Sequence, residues 1–138
     1  MADGISYAPV DSQTWPHWVY YMRALNGLQL SDYDGWESLD DYMRGLDGTT
    51  CQNAITHLPY AHLRTMAMGW GRAVPDDVQM GEIITGVERG MAEGAVGLST
   101  GLDYIAECFS TTDELVEACA AMAPQQGLYV THIRYKKG

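Results

Sequence analysis

Basic residues are scarce in this sequence. Its 138 residues hold 8 lysines and arginines against 18 aspartates and glutamates, a formal charge of −10. Such a surface repels phosphates, which excludes nucleic acid and anionic membranes as expected partners. The one local basic run, residues 134–137, is short and terminal. Cysteine is also little used. Cys51, Cys108 and Cys119 are odd in number and widely spaced, with no CxxC pair. Neither a disulfide framework nor a cysteine zinc cage is expected, and a reducing cytoplasm fits. No apolar run approaches the ~18 residues of a membrane span. The first ten residues lack the charged start and apolar stretch of a secretory signal. There is no low-complexity linker and no internal repeat of roughly 20–50 residues. With 46% hydrophobic residues, the chain can build a core but not two independent ones.

What is present is helical spacing separated by short apolar runs. Trp15, Trp18, Val19, Met22 and Leu25 recur as one helix face, with Pro16 acceptable in a first turn. Trp36, Leu39, Met43 and Leu46 predict a second helix behind an Asp34 cap. A third opens at Pro75-Asp76-Asp77, where acidic residues suit the helix dipole. Its stripe is Met80, Ile83, Ile84, Val87 and Met91, and Gly94 supplies the stop. Gly81, Gly86 and Gly90 cost that helix roughly 1 kcal/mol each relative to alanine, unless close packing requires them. The last helix is announced by a capping box, Thr111 with Glu114, and predicts a buried face of Leu115, Val116, Cys119, Met122 and Ala123.

Between the helices lie apolar runs bounded by glycine at 53–58, 95–99 and 128–133. They do not alternate cleanly, which predicts strands buried on both faces. Helices and strands in this order imply βαβ units, a parallel sheet and an α/β class. Chemistry in such sheets sits at the carboxyl ends of the strands. Those ends carry Pro59, Tyr60, His62 and Arg64 after the first run. They carry Thr100 to Tyr104 after the second, and His132 and Arg134 after the third.

Several stretches then resemble one family. They are Glu93-Gly94-Ala95-Val96-Gly97-Leu98-Ser99-Thr100-Gly101-Leu102-x-Tyr104, the Ser-Thr-Thr-Asp-Glu-Leu helix start, and Gly127-Leu128-Tyr129-Val130-Thr131-His132-Ile133-Arg134. Upstream, Trp36-Glu37-Ser38-Leu39-x-x-Tyr42, Asn53…Pro59-x-x-x-Leu63-Arg64…Met68-Gly69 and Asp3-Gly4-Ile5-Ser6-Tyr7-Ala8-Pro9 continue the match in order. Together these motifs resemble the N-acyl-D-amino-acid deacylases, or D-aminoacylases, of the amidohydrolase superfamily. The resemblance implies a (β/α)8 barrel of which residues 1–138 are an incomplete internal segment. The family's amino-terminal His-x-His pair and its catalytic aspartate would then lie outside these residues, leaving no catalytic residue inside them. It also implies zinc as cofactor, a small-molecule N-acyl-D-amino acid as substrate, and its cleavage to a D-amino acid and a carboxylate.

Residue by residue, His132 matches the histidine that ligates zinc in the family, a donor suited to a strand end. Read alone, a histidine ending an apolar strand is more often structural. Asp3 stands where the family has a metal-bridging cysteine. A carboxylate can also bind zinc, or Asp3-Gly4 is a terminal turn. Tyr104 matches a substrate-facing position, or packs its loop onto the sheet. Arg134 is a candidate partner for the substrate carboxylate, since a guanidinium matches its geometry. Arg64 is a second such candidate but reads better as a structural ion-pair former, and His57 and His62 read as packing or surface residues. Ala106-Glu107 replaces the family's Pro-Gly, which puts the shape of that loop in question. Two other readings stay open: another amidohydrolase chemistry on cyclic amides or dipeptides, and an inactive α/β binding module.

Overall fold

The structure, a computed structural model, describes residues 5–134. Helix α1 (Trp15–Asn26) places Pro16 in its first turn and buries Trp15, Trp18, Val19 and Met22. Leu25, expected on that face, is 78% exposed. The chain turns at Gly27 (φ +73°), and the buried Leu28 closes that end of the core instead. Helix α2 (Leu39–Leu46) is capped by Ser38 and not by Asp34. The Ser38 side chain accepts from the Asp41 amide, and the Asp41 carboxylate accepts from the Ser38 amide. The next two amides, of Leu39 and Asp40, donate to Glu93 Oε2 at 2.9 and 3.2 Å. All these donors are ones a helix start leaves unsatisfied.

Strand β1 (Leu58–Pro59) is only two residues long, shorter than the 53–58 run suggested. Ile55 is exposed, and upstream of β1 the Thr56 carbonyl accepts from the Val96 amide. Helix α3 (Tyr60–Met68) follows at once, buried continuously from Tyr60 to Thr65. Helix α4 (Asp77–Ala92) starts at a capping box of Asp76 and Gln79 and buries Met80, Ile83, Val87 and Met91. The chain leaves it through Gly94 at φ +104°, as the sequence predicts. Packing demands Gly90 most, because a Cβ there would lie 2.2 Å from Leu58 Cδ2, and one at Gly86 would lie 2.9 Å from Leu63 Cδ2.

Strand β2 (Gly97–Gly101) is wholly buried. Helix α5 (Thr112–Met122) begins at the expected Thr111–Glu114 box. Its inner face is Leu115, Ala118 and Met122 with Glu114. Val116 is 60% exposed, and Ala123 lies beyond the helix. Strand β3 (Leu128–His132) completes a parallel sheet in the order β1-β2-β3. The register runs from Leu58 opposite Leu98 to Gly101 opposite His132. The α/β class with parallel strands stands. The expectation that every strand is buried on both faces does not, because Leu128 is 62% exposed and Tyr129 and Val130 are also open. β3 has β2 on one side and no second described strand on the other.

One core joins Leu58 and Leu98 of the sheet to Ile83, Val87, Leu115, Ala118 and Met122 of the helices. A second joins Val10, Trp15, Trp18, Val19 and Met22 to Ala61. Burying each of the larger aliphatic side chains contributes roughly 1.5–3 kcal/mol. Because the strands are parallel, all three carboxyl ends open on one edge. Among the described residues no helix is long and apolar enough to cross a membrane.

Candidate functional site

That edge gathers the residues of interest. His132 ends β3 directly opposite Gly101, the last residue of β2. Residues 102–110 leave Gly101 and fold back over the strand ends. Asp103 Oδ1 lies 3.1 Å from His132 Nδ1, and both side chains are partly buried, at 19% and 28% exposed. The Tyr104 ring stands 5.5 Å from the imidazole, tilted by 53°. A carboxylate on Nδ1 fixes a histidine's tautomer and orientation, and presents Nε2 as the ligating nitrogen.

The loop is tied down on several sides. Arg134, just past β3, donates from Nη1 to the Cys108 carbonyl (2.6 Å) and from Nη2 to the Ser110 carbonyl (2.8 Å). The Gly101 amide donates to Glu107 Oε1 at 2.6 Å. Glu107 is fully buried, and burial pushes its carboxyl up to about 8. The Gly101 amide and the Arg64 charge oppose that rise, while Asp103 and Glu114 add to it.

Beneath the loop lies a closed polar group. Arg64 and Glu114 form an ion pair at 2.9 Å with side chains 0% and 1% exposed. The Tyr60 hydroxyl donates to the same Glu114 oxygen. Burial and that bond to a carboxylate hold the Tyr60 hydroxyl above its ordinary range. Arg64 also donates to the carbonyls of Gly71 and Ala73, so its guanidinium is committed to structure. His62 is another structural residue. It stacks on Trp18 at 3.9 Å with 11° between the planes, and its Nδ1 meets the Pro9 carbonyl at 2.9 Å. Burial lowers its pKa to about 3, so it packs as a neutral ring.

The structure thus brings His132, Tyr104 and Arg134 to one edge, and Asp3 lies outside the described residues. Sequence reading assigned no role to Asp103, which it placed only by its position at a strand end. Glu107 was visible as a departure in a loop, but nothing in its neighbours signals burial. As to metal, His132 with Asp103 behind it fits one ligand. Among the described residues no group of three or more His, Cys, Asp or Glu could hold an ion. A groove of about 590 Å³ lined by Asp40, Arg44, Asp47 and Cys51 contains none of these residues.

No family model matches the chain. A D-aminoacylase of Alcaligenes xylosoxydans xylosoxydans is 32% identical over 111 residues, which are 78% of this chain and 23% of that protein. The chain is related to the N-acyl-D-amino-acid deacylases. An N-acyl-D-aspartate deacylase of the same organism, a second such enzyme, is 26% identical over 133 residues, 95% of this chain and 26% of the relative. The fold agrees. The structure of an N-acyl-D-glutamate deacylase from Bordetella bronchiseptica, complexed with zinc and a phosphonate inhibitor, superposes with a TM-score of 0.79 at 23% identity. It is covered over 97% of this chain and 27% of its own. A D-aminoacylase structure, described as defining a novel subset of amidohydrolases, gives 0.76 at 24% identity with the same coverage. The chain spans about a quarter of the length of the relatives it matches.

Proposed function

We propose that these residues are part of a zinc-dependent hydrolase that cleaves N-acyl-D-amino acids to a D-amino acid and a carboxylate. In this reading residues 1–138 are a segment of a (β/α)8 barrel, completed by strands that carry the remaining ligands and the catalytic aspartate. The observation that carries it is the Asp103–His132 pair beside Tyr104 at the carboxyl edge of a parallel sheet, within a chain related to D-aminoacylases. His132 and Asp3 are the proposed metal ligands. When bound, zinc would polarise the amide carbonyl and lower the pKa of a water.

The chain's own residues supply placement. Asp103 holds the His132 ring, and the Tyr104 hydroxyl is proposed to donate a hydrogen bond to the substrate. Arg134 pins the loop through Nη1 and Nη2, and its guanidinium is also proposed to meet the substrate carboxylate. The substrate is a small molecule, met in the cytoplasm, with no nucleic acid or membrane partner. By itself the chain is expected to show no hydrolysis, since the described residues provide one ligand and no free-standing base.

The test is a chimera in which this chain replaces the matching segment of a D-aminoacylase. The chimera is expected to bind zinc and hydrolyse N-acetyl-D-methionine, and His132→Ala is expected to abolish both. A folded chimera whose zinc content and activity survive His132→Ala would sink the reading. The altered loop at Ala106-Glu107 favours a second reading, hydrolysis of cyclic amides or dipeptides. Turnover of hydantoins or dipeptides in preference to N-acetyl-D-methionine would move the assignment there.

A further inference from the structure

The loop that carries Asp103 and Tyr104 needs a fixed shape, since neither residue belongs to a helix or strand. Its anchor begins at Gly101. The last β2 residue paired with β1 is Ser99, and beyond it the Gly101 amide turns to Glu107 Oε1. The Gly101 carbonyl in turn accepts from the Tyr104 amide at 2.7 Å, and the Tyr104 carbonyl accepts from the Glu107 amide at 3.1 Å. These three bonds close a ring from Gly101 through Tyr104 to Glu107 and back. Asp103 lies within that ring, with its carboxylate on His132.

We propose that Glu107 is a positioning residue of the site, closing the Gly101–Tyr104 turn so that Asp103 meets His132. The inference rests on the reading of His132 as a ligand. Residues 106 and 107 are where this chain departs from the family pattern, so the device belongs to this chain's own version of the loop.

The charges around Glu107 give the form in which it acts. Arg64 from α3 is the cation facing it, and Asp103 from its own loop and Glu114 from α5 are the acids. Arg64 makes its direct ion pair with Glu114, so one guanidinium faces two buried carboxyl groups and neutralises only one. Glu107 therefore keeps its proton at neutral pH, consistent with the direction in which burial moves it. Oε1 accepts from Gly101, while Oε2 makes no hydrogen bond among the described residues. A carboxylic acid in this role has a neutral isostere in glutamine, which keeps the acceptor and supplies a donor where the acid has its hydroxyl.

The experiment uses the 138-residue chain without metal and reads the His132 ring by ¹⁵N-correlated NMR at neutral pH, which shows which nitrogen carries the proton. Wild type and Glu107→Gln are expected to show one dominant tautomer, protonated on Nδ1. Glu107→Met fills the same space without the acceptor and is expected to shift the ring to a mixture of tautomers, as Asp103→Ala should. Circular dichroism confirms that each variant is folded, and methionine is chosen because it keeps the side-chain volume while leaving the Gly101 amide without its acceptor. A folded Glu107→Met chain with the wild-type tautomer overturns the proposal. So does a Glu107→Gln chain that matches Glu107→Met. Zinc titration separates the two readings. If, in the chimera with a D-aminoacylase, His132→Ala binds zinc as the unmutated chimera does, the ligand role fails while the Glu107 result on the metal-free ring still stands.

Discussion

Two polar groups lie one above the other in this fold, and each is centred on a side-chain contact of nearly the same length. In the lower one Arg64 meets Glu114 at 2.9 Å with neither side chain exposed. In the upper one His132 meets Asp103 at 3.1 Å with both partly open. Contact geometry does not separate them. What differs is surroundings: Arg64 also spends N–H groups on the carbonyls of Gly71 and Ala73, whereas the upper pair faces the open edge of the sheet. A pair whose cation is also tied to backbone carbonyls holds structure together, and one at a strand end lies where a parallel sheet places its chemistry.

The largest expected effect breaks the lower group. Arg64→Met leaves the Glu114 carboxylate buried without its cation and should cost about 3–5 kcal/mol in urea unfolding. A loss under ~1 kcal/mol would mean the pair is wetter than its burial implies. Next comes the pH dependence of Glu107, which lies between the two groups. The unfolded chain releases this proton near the ordinary value of 4.5, and the folded chain keeps it to about 8. The folded state binds the extra proton between those values, so its stability falls as pH rises through that window and levels off above it. Glu107→Gln should remove this slope, visible as the difference in urea midpoints between variant and wild type. His62 acts in the opposite direction. Its folded value of about 3 lies below the ordinary 6.5, so its contribution is present above 6.5 and is lost as pH falls toward 3. Both proteins share that slope, and it cancels in the difference. The smallest effect belongs to the upper pair. A double-mutant cycle of Asp103→Ala and His132→Ala should give a coupling of about 0.2–1 kcal/mol.

Helix starts were the most legible feature, because a cap is a local chemical signal. Asp76 and the Thr111–Glu114 box are where the sequence places them. The miss at Asp34 came from a local competitor, since Ser38 has Asp41 three residues on to complete its box. Burial was less legible because it depends on distant neighbours. The apolar run at Leu128 to Val130 reads like a buried strand but is exposed, and nothing within the run says which elements lie beside it. At the site, His132, Tyr104 and Arg134 could be selected from motif and strand position. Asp103 and Glu107 could not be given roles, because their partners, the His132 ring and the Gly101 amide, are brought near only by the folding of the loop. Arg64 was read as an ion-pair former from its apolar neighbours, but its partner, 50 residues on, was visible only as a helix cap.

That cap has a consequence for how the molecule opens. One oxygen of Glu114 accepts from Arg64 and Tyr60, and the other accepts from the Thr111 amide at the start of α5. Helix ends ordinarily fray first and exchange their amide hydrogens with solvent by small local openings. Here the first turn of α5 cannot loosen without freeing a buried guanidinium on α3. Its amides should therefore exchange together with those of α3, as a single cooperative unit rather than as a fraying end.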